Sequence, residues 1–160
     1  MRLRSLEVRC FRAVHHLRVE FTDGLNVLYG PNELGKSTLV EALRAAFLLP
    51  VTSKAAAEFV PWGTDEVPQV VVEFDLPNDT ESDEITATTT RWRIRKSFDS
   101  GARGSSLLER ELGPGRFAKE ASGRDVDGRL RSLLNWGIQG PGGKGAPKGW
   151  PKSYLVTALL

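Results

Sequence analysis

The sequence predicts a mixed α/β fold of the α+β type, in which an antiparallel β subdomain surrounds one strand–loop–helix unit. Three observations lead to this expectation. Apolar and charged residues alternate over several short runs, which is typical of half-buried β-strands. One apolar run leads through a glycine-containing loop into a stretch with helical periodicity. A second helical stripe of apolar residues begins just after residue 125.

Three predicted strands lie before that loop. In the run 3–11, apolar residues are separated by charged ones, with an irregularity around Ser5, so this run predicts the first strand. Residues 12–16 are interpreted as a turn, and the clean alternation of residues 17–21 predicts the second strand. After a further turn, the apolar run 25–29 predicts a third strand that enters the loop.

The loop fits the phosphate-binding pattern GxxxxGK[ST] at every fixed position. Its glycines allow successive backbone N–H groups to point into one hollow. Lys36 is the predicted catalytic residue, because its charge would lie on the β- and γ-phosphates, and Ser37 is the predicted Mg²⁺ ligand. The helix predicted over 38–48, ending near Pro50, favours an anion at its N-terminus. The predicted nucleotide-binding residues of the loop are Gly30, Pro31, Asn32, Glu33, Leu34, Gly35, Lys36, Ser37 and Thr38.

The middle of the chain predicts further strands. Residues 51–68 have no clear period, apart from one possible helical turn at 55–58. The alternating run 70–74 predicts a half-buried strand. The threonine-rich run 86–94 predicts a long strand whose other face carries arginines.

The following segment predicts a hairpin and then a helix. Residues 107–112 and 116–121 are interpreted as the two arms of a hairpin, with a helix as the alternative for the first arm. Asp125 is the predicted N-cap of the final helix, and Gly137 is its predicted end. The apolar stripe of that helix consists of Val126, Leu130, Leu133 and Leu134.

Length and composition indicate one ordinary globular domain, since the chain has 160 residues, of which 40% are hydrophobic and 26% charged. The net charge of +2 is too small to imply nucleic-acid binding by itself. A single cysteine excludes an internal disulfide and fits a cytoplasmic location. No apolar run approaches the ~20 residues of a membrane-spanning helix, so we expect no membrane partner.

The composition changes towards the end of the sequence. We expect residues 1–137 to form the domain. Residues 138–152 are rich in glycine and proline and are predicted to be a flexible loop. The apolar residues 153–160 predict a strand or the start of a helix that is apparently truncated.

The order of the first motifs is unusual, because two amphipathic strands precede the phosphate loop. Residues 8–12 (VRCFR), 17–21 (LRVEF) and 24–43 (GLNVLYGPNELGKSTLVEAL) carry this order. The arrangement resembles the start of the ABC-type ATPase heads of the SMC, RecF, RecN and SbcC group. Asn32 in the loop and the Glu-Ala-Leu at 41–43 are characteristic of that group.

Later residues resemble the SbcC-type branch, which acts in double-strand-break repair. They are residues 58–63 (EFVPWG), the strand 70–74 and residues 92–98 (WRIRKSF). The likeness is strong over residues 1–49, moderate to 98 and weak beyond.

This resemblance implies that the chain is the N-terminal lobe of a P-loop NTPase head. It implies ATP hydrolysis with ATP and Mg²⁺ as cofactors, DNA as a partner, and a role in double-strand break repair, recombination or chromosome maintenance. In such heads a C-terminal lobe supplies the signature sequence and the Walker B acidic pair, and a second head completes a dimer. Because this sequence contains neither motif, we expect it to be inactive without a C-terminal lobe.

Two further candidates lie outside the loop. Arg12 matches an arginine that reaches the nucleotide phosphates in similar heads; a surface arginine at a turn is the alternative. Trp62, together with Phe59 and Pro61, is a candidate to flank the adenine because aromatic faces stack on bases; a hydrophobic anchor for the loop is the alternative.

Other functions remain open at this point. The chain is alternatively another P-loop NTPase, such as a nucleotide kinase, which would need a complete Walker B strand. Residues 70–75 superficially resemble that strand, but Glu73 interrupts the apolar run, and an antiparallel hairpin is favoured. A third possibility is a non-enzymatic nucleic-acid-binding module whose phosphate contacts are made by one strand face; a solvated strand face is the plainer interpretation. The basic residues concerned are Arg91, Arg93, Arg95 and Lys96.

Overall fold

A computed structural model describes residues 1–31, 35–78, 89–99 and 104–134 of the chain. These residues form six β-strands, two α-helices and one short 3₁₀ helix. The strands are β1 Arg2–Phe11, β2 Val14–Glu20, β3 Gln69–Pro77, β4 Thr89–Ser97, β5 Ser105–Gly113 and β6 Arg116–Ser122. The helices are α1 Lys36–Leu48, α2 Asp125–Leu134 and the 3₁₀ helix Lys54–Phe59.

All six strands belong to one antiparallel sheet in the order β2-β1-β3-β4-β5-β6. The register between β1 and β3 shifts between Leu3 and Ser5, at the irregularity seen in the sequence. Since β3 pairs with β4 in antiparallel register, the interpretation of residues 70–75 as part of a hairpin is confirmed. The second hairpin is confirmed as well, because β5 pairs with β6 along both predicted arms.

The helices contact one face of the sheet, which gives the α+β arrangement predicted from the sequence. Strand alternation determines this face, because every second side chain points into the core. The buried apolar strand residues include Leu6, Val8, Val70, Val72, Phe74, Trp92, Ile94 and Leu108. Helix α1 buries Leu39, Ala42, Leu43, Ala45, Ala46, Phe47 and Leu48, and α2 buries Val126, Leu130 and Leu134.

An aromatic cluster ties the connecting segments to the core. The ring centroids of Phe11 and Phe59 are 4.4 Å apart in a stacked pair, and Phe98 meets Phe59 edge-on at 5.3 Å. Phe59 ends the 3₁₀ helix that the sequence predicted as a single helical turn at 55–58. The cluster therefore fixes the end of β1, the 3₁₀ helix and the residue after β4 relative to one another.

The predicted turn at 12–16 is too long. Strand β2 already begins at Val14, so that only Arg12 and Ala13 lie between the two strands. Val14 is 8% exposed, and burying this β-branched side chain favours an extended backbone over a wider turn.

The predicted third strand is wrong: residues 25–29 have no strand conformation. We call residues 24–31 the phosphate-loop segment. No described strand pairs with it, and an unpaired strand leaves its backbone donors and acceptors without a ladder. Leu25 is 89% and Tyr29 is 92% exposed. The Asn26 side chain instead holds the segment locally, because its Oδ1 accepts from the Thr22 N–H at 2.9 Å.

Several predictions lie outside the described residues. They concern Thr86 and Thr88 of the predicted long strand, the helix end at Gly137, and the segments 138–152 and 153–160. The described domain runs to Leu134, so the predicted boundary at 137 stays a prediction. Among the described helices, neither has the length and hydropathy needed to cross a membrane.

Candidate nucleotide-binding site

Lys36 is the first residue of α1, and its side chain turns back over the loop that precedes the helix. The Lys36 Nζ donates to the carbonyl oxygens of Gly30 at 2.7 Å and Pro31 at 2.5 Å. The ammonium group is therefore held against the loop backbone, at the position where the motif needs a cation. Residues 32–34 of the loop, which are Asn32, Glu33 and Leu34, lie outside the described residues.

Gly35 joins the loop to α1 and must be glycine for two reasons. Its φ of +82° lies in the left-handed region, where a side chain is strained. A Cβ at this position would lie 2.7 Å from the Val14 Cγ2, which is too close for real atoms. The tip of the β1–β2 hairpin thus packs directly on the phosphate loop. Sequence reasoning missed Val14 as a neighbour of the loop, because its contact with Gly35 is not local in the chain.

The N-terminus of α1 is open to an anion. The N-cap residue is Gly35, which has no side chain to accept a hydrogen bond. Among the described residues, no side chain caps the first N–H groups of the helix. Ser37 is exposed in the first turn, and Thr38 beside it is half-buried. An ammonium group, a hydroxyl and free helix N–H groups are the donors that suit phosphate, and hydroxyl oxygen suits Mg²⁺. The residues present therefore fit a nucleotide phosphate group with its metal ion.

The structure brings Arg12 to the side of α1 but holds it at Glu41. Its backbone φ is +53°, and its N–H donates to the carbonyl oxygen of Phe59 at 2.7 Å. The Arg12 Nη1 lies 2.7 Å from Glu41 Oε2, and its Nη2 lies 4.0 Å from Glu58 Oε2. Arg12 is thus neither a free surface arginine nor in contact with Gly30, Pro31 or Lys36 among the described contacts.

Trp62 lies at the tip of a tight turn. The turn is closed by the Thr64 N–H, which donates to the carbonyl oxygen of Pro61 at 3.4 Å, and Gly63 has a φ of +77°. Trp62 is fully exposed, whereas Phe59 and Pro61 are buried. Because Phe59 and Pro61 are buried, the interpretation of a hydrophobic anchor for the loop holds for both. Trp62 remains the aromatic side chain available there.

The arginines of β4 point away from the core and are paired with carboxylates. Arg91 Nε lies 3.1 Å from Asp75 Oδ1, Arg93 Nε lies 2.7 Å from Glu109 Oε2, and Arg95 Nε lies 3.0 Å from the same oxygen. Although burial alone raises the pKa of Glu109, the hydrogen bonds and charges of Arg93 and Arg95 lower it below its ordinary value. Each of these guanidinium groups has a carboxylate partner, which favours the plainer interpretation of a solvated strand face over a nucleic-acid-binding module.

Lys96 is buried, so neither the contact with nucleic acid nor the plainer interpretation of a solvated strand face holds for this residue. It is 2% exposed, and its Nζ donates to the Leu49 carbonyl oxygen at 2.8 Å and to Asp127 Oδ1 at 2.7 Å. Lys96 continues the core-facing alternation of β4 after Trp92 and Ile94. Sequence reasoning had instead grouped Lys96 with the arginines of the opposite face. The side chain connects β4 with the C-terminus of α1 and with α2, and burial lowers its pKa against the opposing effect of Asp127.

A family model for the AAA domain matches residues 5–103, which is more than half of the chain and includes the loop, β1 to β4 and α1. The chain belongs to the AAA domain family. Over 135 residues this AAA domain is 29% identical to the DNA double-strand break repair Rad50 ATPase of Methanopyrus kandleri, covering 82% of the chain and 14% of that protein. Over 43 residues it is 44% identical to the DNA replication and repair protein RecF of Chlorobium luteolum, covering 27% and 12%.

A solved structure from work on the ATP-driven dimerization and DNA-stimulated activation of SMC ATPases has the same fold. It matches this AAA domain with a TM-score of 0.52 at 17% identity, over 84% of the chain and 78% of the solved chain. Together with the two sequence relatives, it confirms the resemblance to the N-terminal lobe of SMC-, RecF- and SbcC-type ATPase heads. The AAA domain spans less than a fifth of the length of either curated relative.

Proposed function

We propose that this chain binds ATP with Mg²⁺ as the N-terminal lobe of an SMC- or SbcC-type ATPase head. The observation that carries the proposal is the Lys36 ammonium group, which turns back from the first residue of α1 onto the phosphate loop, at a helix N-terminus that no described side chain caps. Rad50 and RecF, to which the chain is similar, act in DNA repair and replication. We therefore assign the whole head to double-strand break repair, recombination or chromosome maintenance, with DNA as partner and the cytoplasm as location.

In this proposal each residue of the site has one role. Lys36 exchanges the carbonyl oxygens of Gly30 and Pro31 for the β- and γ-phosphates, which are stronger acceptors for an ammonium group. Ser37 holds Mg²⁺, which when bound neutralises phosphate charge. Arg12 adds a second cation to the phosphates, and Trp62 stacks on the adenine. The other proposed nucleotide contacts are Asn32, Glu33, Leu34, Gly35 and Thr38.

The exposed phosphate-loop segment supports the need for a C-terminal lobe. Leu25, Val27 and Tyr29 are 89%, 67% and 92% exposed, although their pattern is that of a buried strand. Strands of a C-terminal lobe would cover them and complete the sheet around the loop. Hydrolysis also needs a carboxylate for the metal ion and groups around the γ-phosphate, which in this proposal come from that lobe and from a second head. We therefore propose that the chain alone binds ATP but does not turn it over.

Titration calorimetry with ATP and Mg²⁺ tests the proposal. We expect Lys36→Ala to weaken ATP binding by about tenfold to a hundredfold, because a hydrogen bond from a charged group contributes about 1.5–3 kcal/mol. Lys54→Ala, which removes an exposed lysine from the 3₁₀ helix, is the matched control and should leave the affinity unchanged. Circular dichroism should show that both variants keep the fold, since Lys36 bonds only to loop carbonyls among the described residues.

Two outcomes contradict this proposal in different parts. Equal ATP affinity of the wild type and Lys36→Ala means that the loop is not the nucleotide site. Steady phosphate release by the wild type, absent in Lys36→Ala, means that the chain supplies its own acidic residue, and the requirement for a C-terminal lobe is then wrong. ATP hydrolysis that appears only after a C-terminal lobe is added supports the proposal that this chain binds ATP and that the C-terminal lobe is needed for turnover.

A further inference from the structure

The Arg12 guanidinium lies beyond the phosphate loop along α1. Its partner Glu41 is five residues after Lys36, which corresponds to about 7.5 Å along the helix axis. Glu41 stands one turn after Ser37 and Thr38 on the same helix face, by the i, i+4 and i, i+3 spacing. The contact between the hairpin and the loop is made by Val14 instead. In the structure the Arg12 guanidinium is therefore paired beside the second turn of α1, and no described contact joins it to Gly30, Pro31 or Lys36.

The Arg12 backbone is fixed, and its side chain is partly exposed. The N–H bond to Phe59 attaches the backbone to the buried aromatic cluster. The side chain is 37% exposed, and its Nε has no hydrogen-bond partner among the described residues. The shortest polar contact of the guanidinium is the ion pair with Glu41 Oε2 at 2.7 Å, and the guanidinium carbon also lies 5.9 Å from the centroid of the Phe59 ring. The second carboxylate, Glu58, is 4.0 Å away and 73% exposed, so solvent screens it.

We propose that Glu41 is a positioning residue that retains Arg12 away from the phosphate site until nucleotide binds. This inference rests on the proposed ATP-binding function. A carboxylate and a phosphate group accept the same guanidinium donors, so Glu41 and ATP compete for Arg12. Part of the binding free energy of ATP is used to break the Arg12–Glu41 pair. Glu41 is on the helix that begins at the loop. In this proposal the Arg12–Glu41 pair is therefore intact when the site is empty and broken when nucleotide is bound.

Charge removal at Glu41 in two backgrounds tests the inference. We expect Glu41→Gln to lower the dissociation constant for ATP by about threefold to fivefold, the size of effect that a half-exposed ion pair can supply. Adenosine, which has no phosphate, should bind equally to both proteins. In an Arg12→Ala background the gain should vanish, because no guanidinium remains to be released. Glu58→Gln removes the same charge from the weaker partner and should leave ATP affinity unchanged.

Each other result overturns the inference. Unchanged or weaker ATP binding by Glu41→Gln means that Glu41 does not compete with the phosphates. An equal gain in the Arg12→Ala background means that the effect is only the loss of a negative charge near the anion. If Glu41→Gln does not fold, Glu41→Asp is measured instead. Its shorter side chain loosens the pair with Arg12 but keeps the negative charge. An ATP affinity of Glu41→Asp identical to that of the wild type overturns the inference.

The two proposals fail in distinguishable ways. Wild-type binding of ATP that is lost in Lys36→Ala, together with no response to Glu41→Gln, removes the role of Glu41 and leaves the ATP site intact. A wild type that binds no ATP overturns both.

Discussion

Leu6 of β1 and Leu25 of the phosphate-loop segment are the same residue type in similar sequence patterns, but their surroundings are opposite. Leu6 is 1% exposed, and Leu25 is 89% exposed. Strand β1 is paired on both sides, with β2 and with β3, and α1 packs against it. The phosphate-loop segment has no strand partner among the described residues and is held by the side chain of Asn26.

The difference shows that an apolar run forms a strand only where other strands complete its hydrogen bonds. In the sheet, most antiparallel neighbours are consecutive in the chain, as in the β3–β4 and β5–β6 hairpins, whereas β1 pairs with the distant β3. The phosphate-loop segment has a strand pattern, but the described residues supply no neighbour for it. The phosphate-loop segment is therefore a part of the described chain whose apolar pattern is matched neither by strand pairing nor by burial.

The largest expected change in the free energy of unfolding is in the buried core, at Leu6 of β1. We expect Leu6→Ala to lower the free energy of unfolding by about 2–5 kcal/mol, because it removes buried methyl groups and leaves a cavity beneath α1. Urea denaturation followed by circular dichroism measures this value. A loss below about 1 kcal/mol would mean that the site collapses around the smaller side chain.

An intermediate effect concerns the buried Lys96, whose pKa is lowered by burial from the ordinary value of 10.5. Below that value the unfolded chain binds more protons at this position than the folded chain, so the free energy of unfolding rises with pH. We expect a rise of at most about 1.4 kcal/mol per pH unit, from the folded-state pKa up towards 10.5.

Urea denaturation over a pH series measures this rise and separates Lys96 from the exposed lysines. Lys96→Met should remove the rise, whereas the control Lys119→Met, at an exposed position of β6, should keep it. A rise that is identical in all three proteins would show that Lys96 does not cause it.

The smallest expected change in the free energy of unfolding is in the exposed phosphate-loop segment, at Leu25. We expect Leu25→Ala to change the free energy of unfolding by less than about 0.5 kcal/mol, because its side chain already contacts solvent. The substitution is the same as in Leu6→Ala, so the two measurements compare the regions directly. A loss as large as that of Leu6→Ala would mean that the phosphate-loop segment is buried in solution, for example by a second copy of the chain.

The parts of this protein that could be predicted from the sequence depend on local patterns. Alternation predicted β1, β3 and both hairpins, the 3.6-residue period predicted α1 and α2, and the motif predicted that Lys36 lies where the loop meets the helix. The antiparallel hairpin at 70–75 followed from a single charged residue, Glu73, in an apolar run. Each of these features is encoded within a short stretch of the chain, of which the longest is the β3–β4 hairpin from Gln69 to Ser97.

Tertiary structure alone decided the rest, because it depends on contacts between residues far apart in the sequence. Alternation placed Lys96 on a strand but could not show Asp127, 31 residues away, as its partner. The motif required a glycine at Gly35, but the reason at this site includes Val14 on another element. Arg12 was recognised beside the strand end, whereas its retention by Glu41 is visible only in the fold. The apolar pattern of residues 25–29 is local, but burial and pairing need a neighbouring strand, which no local pattern can supply.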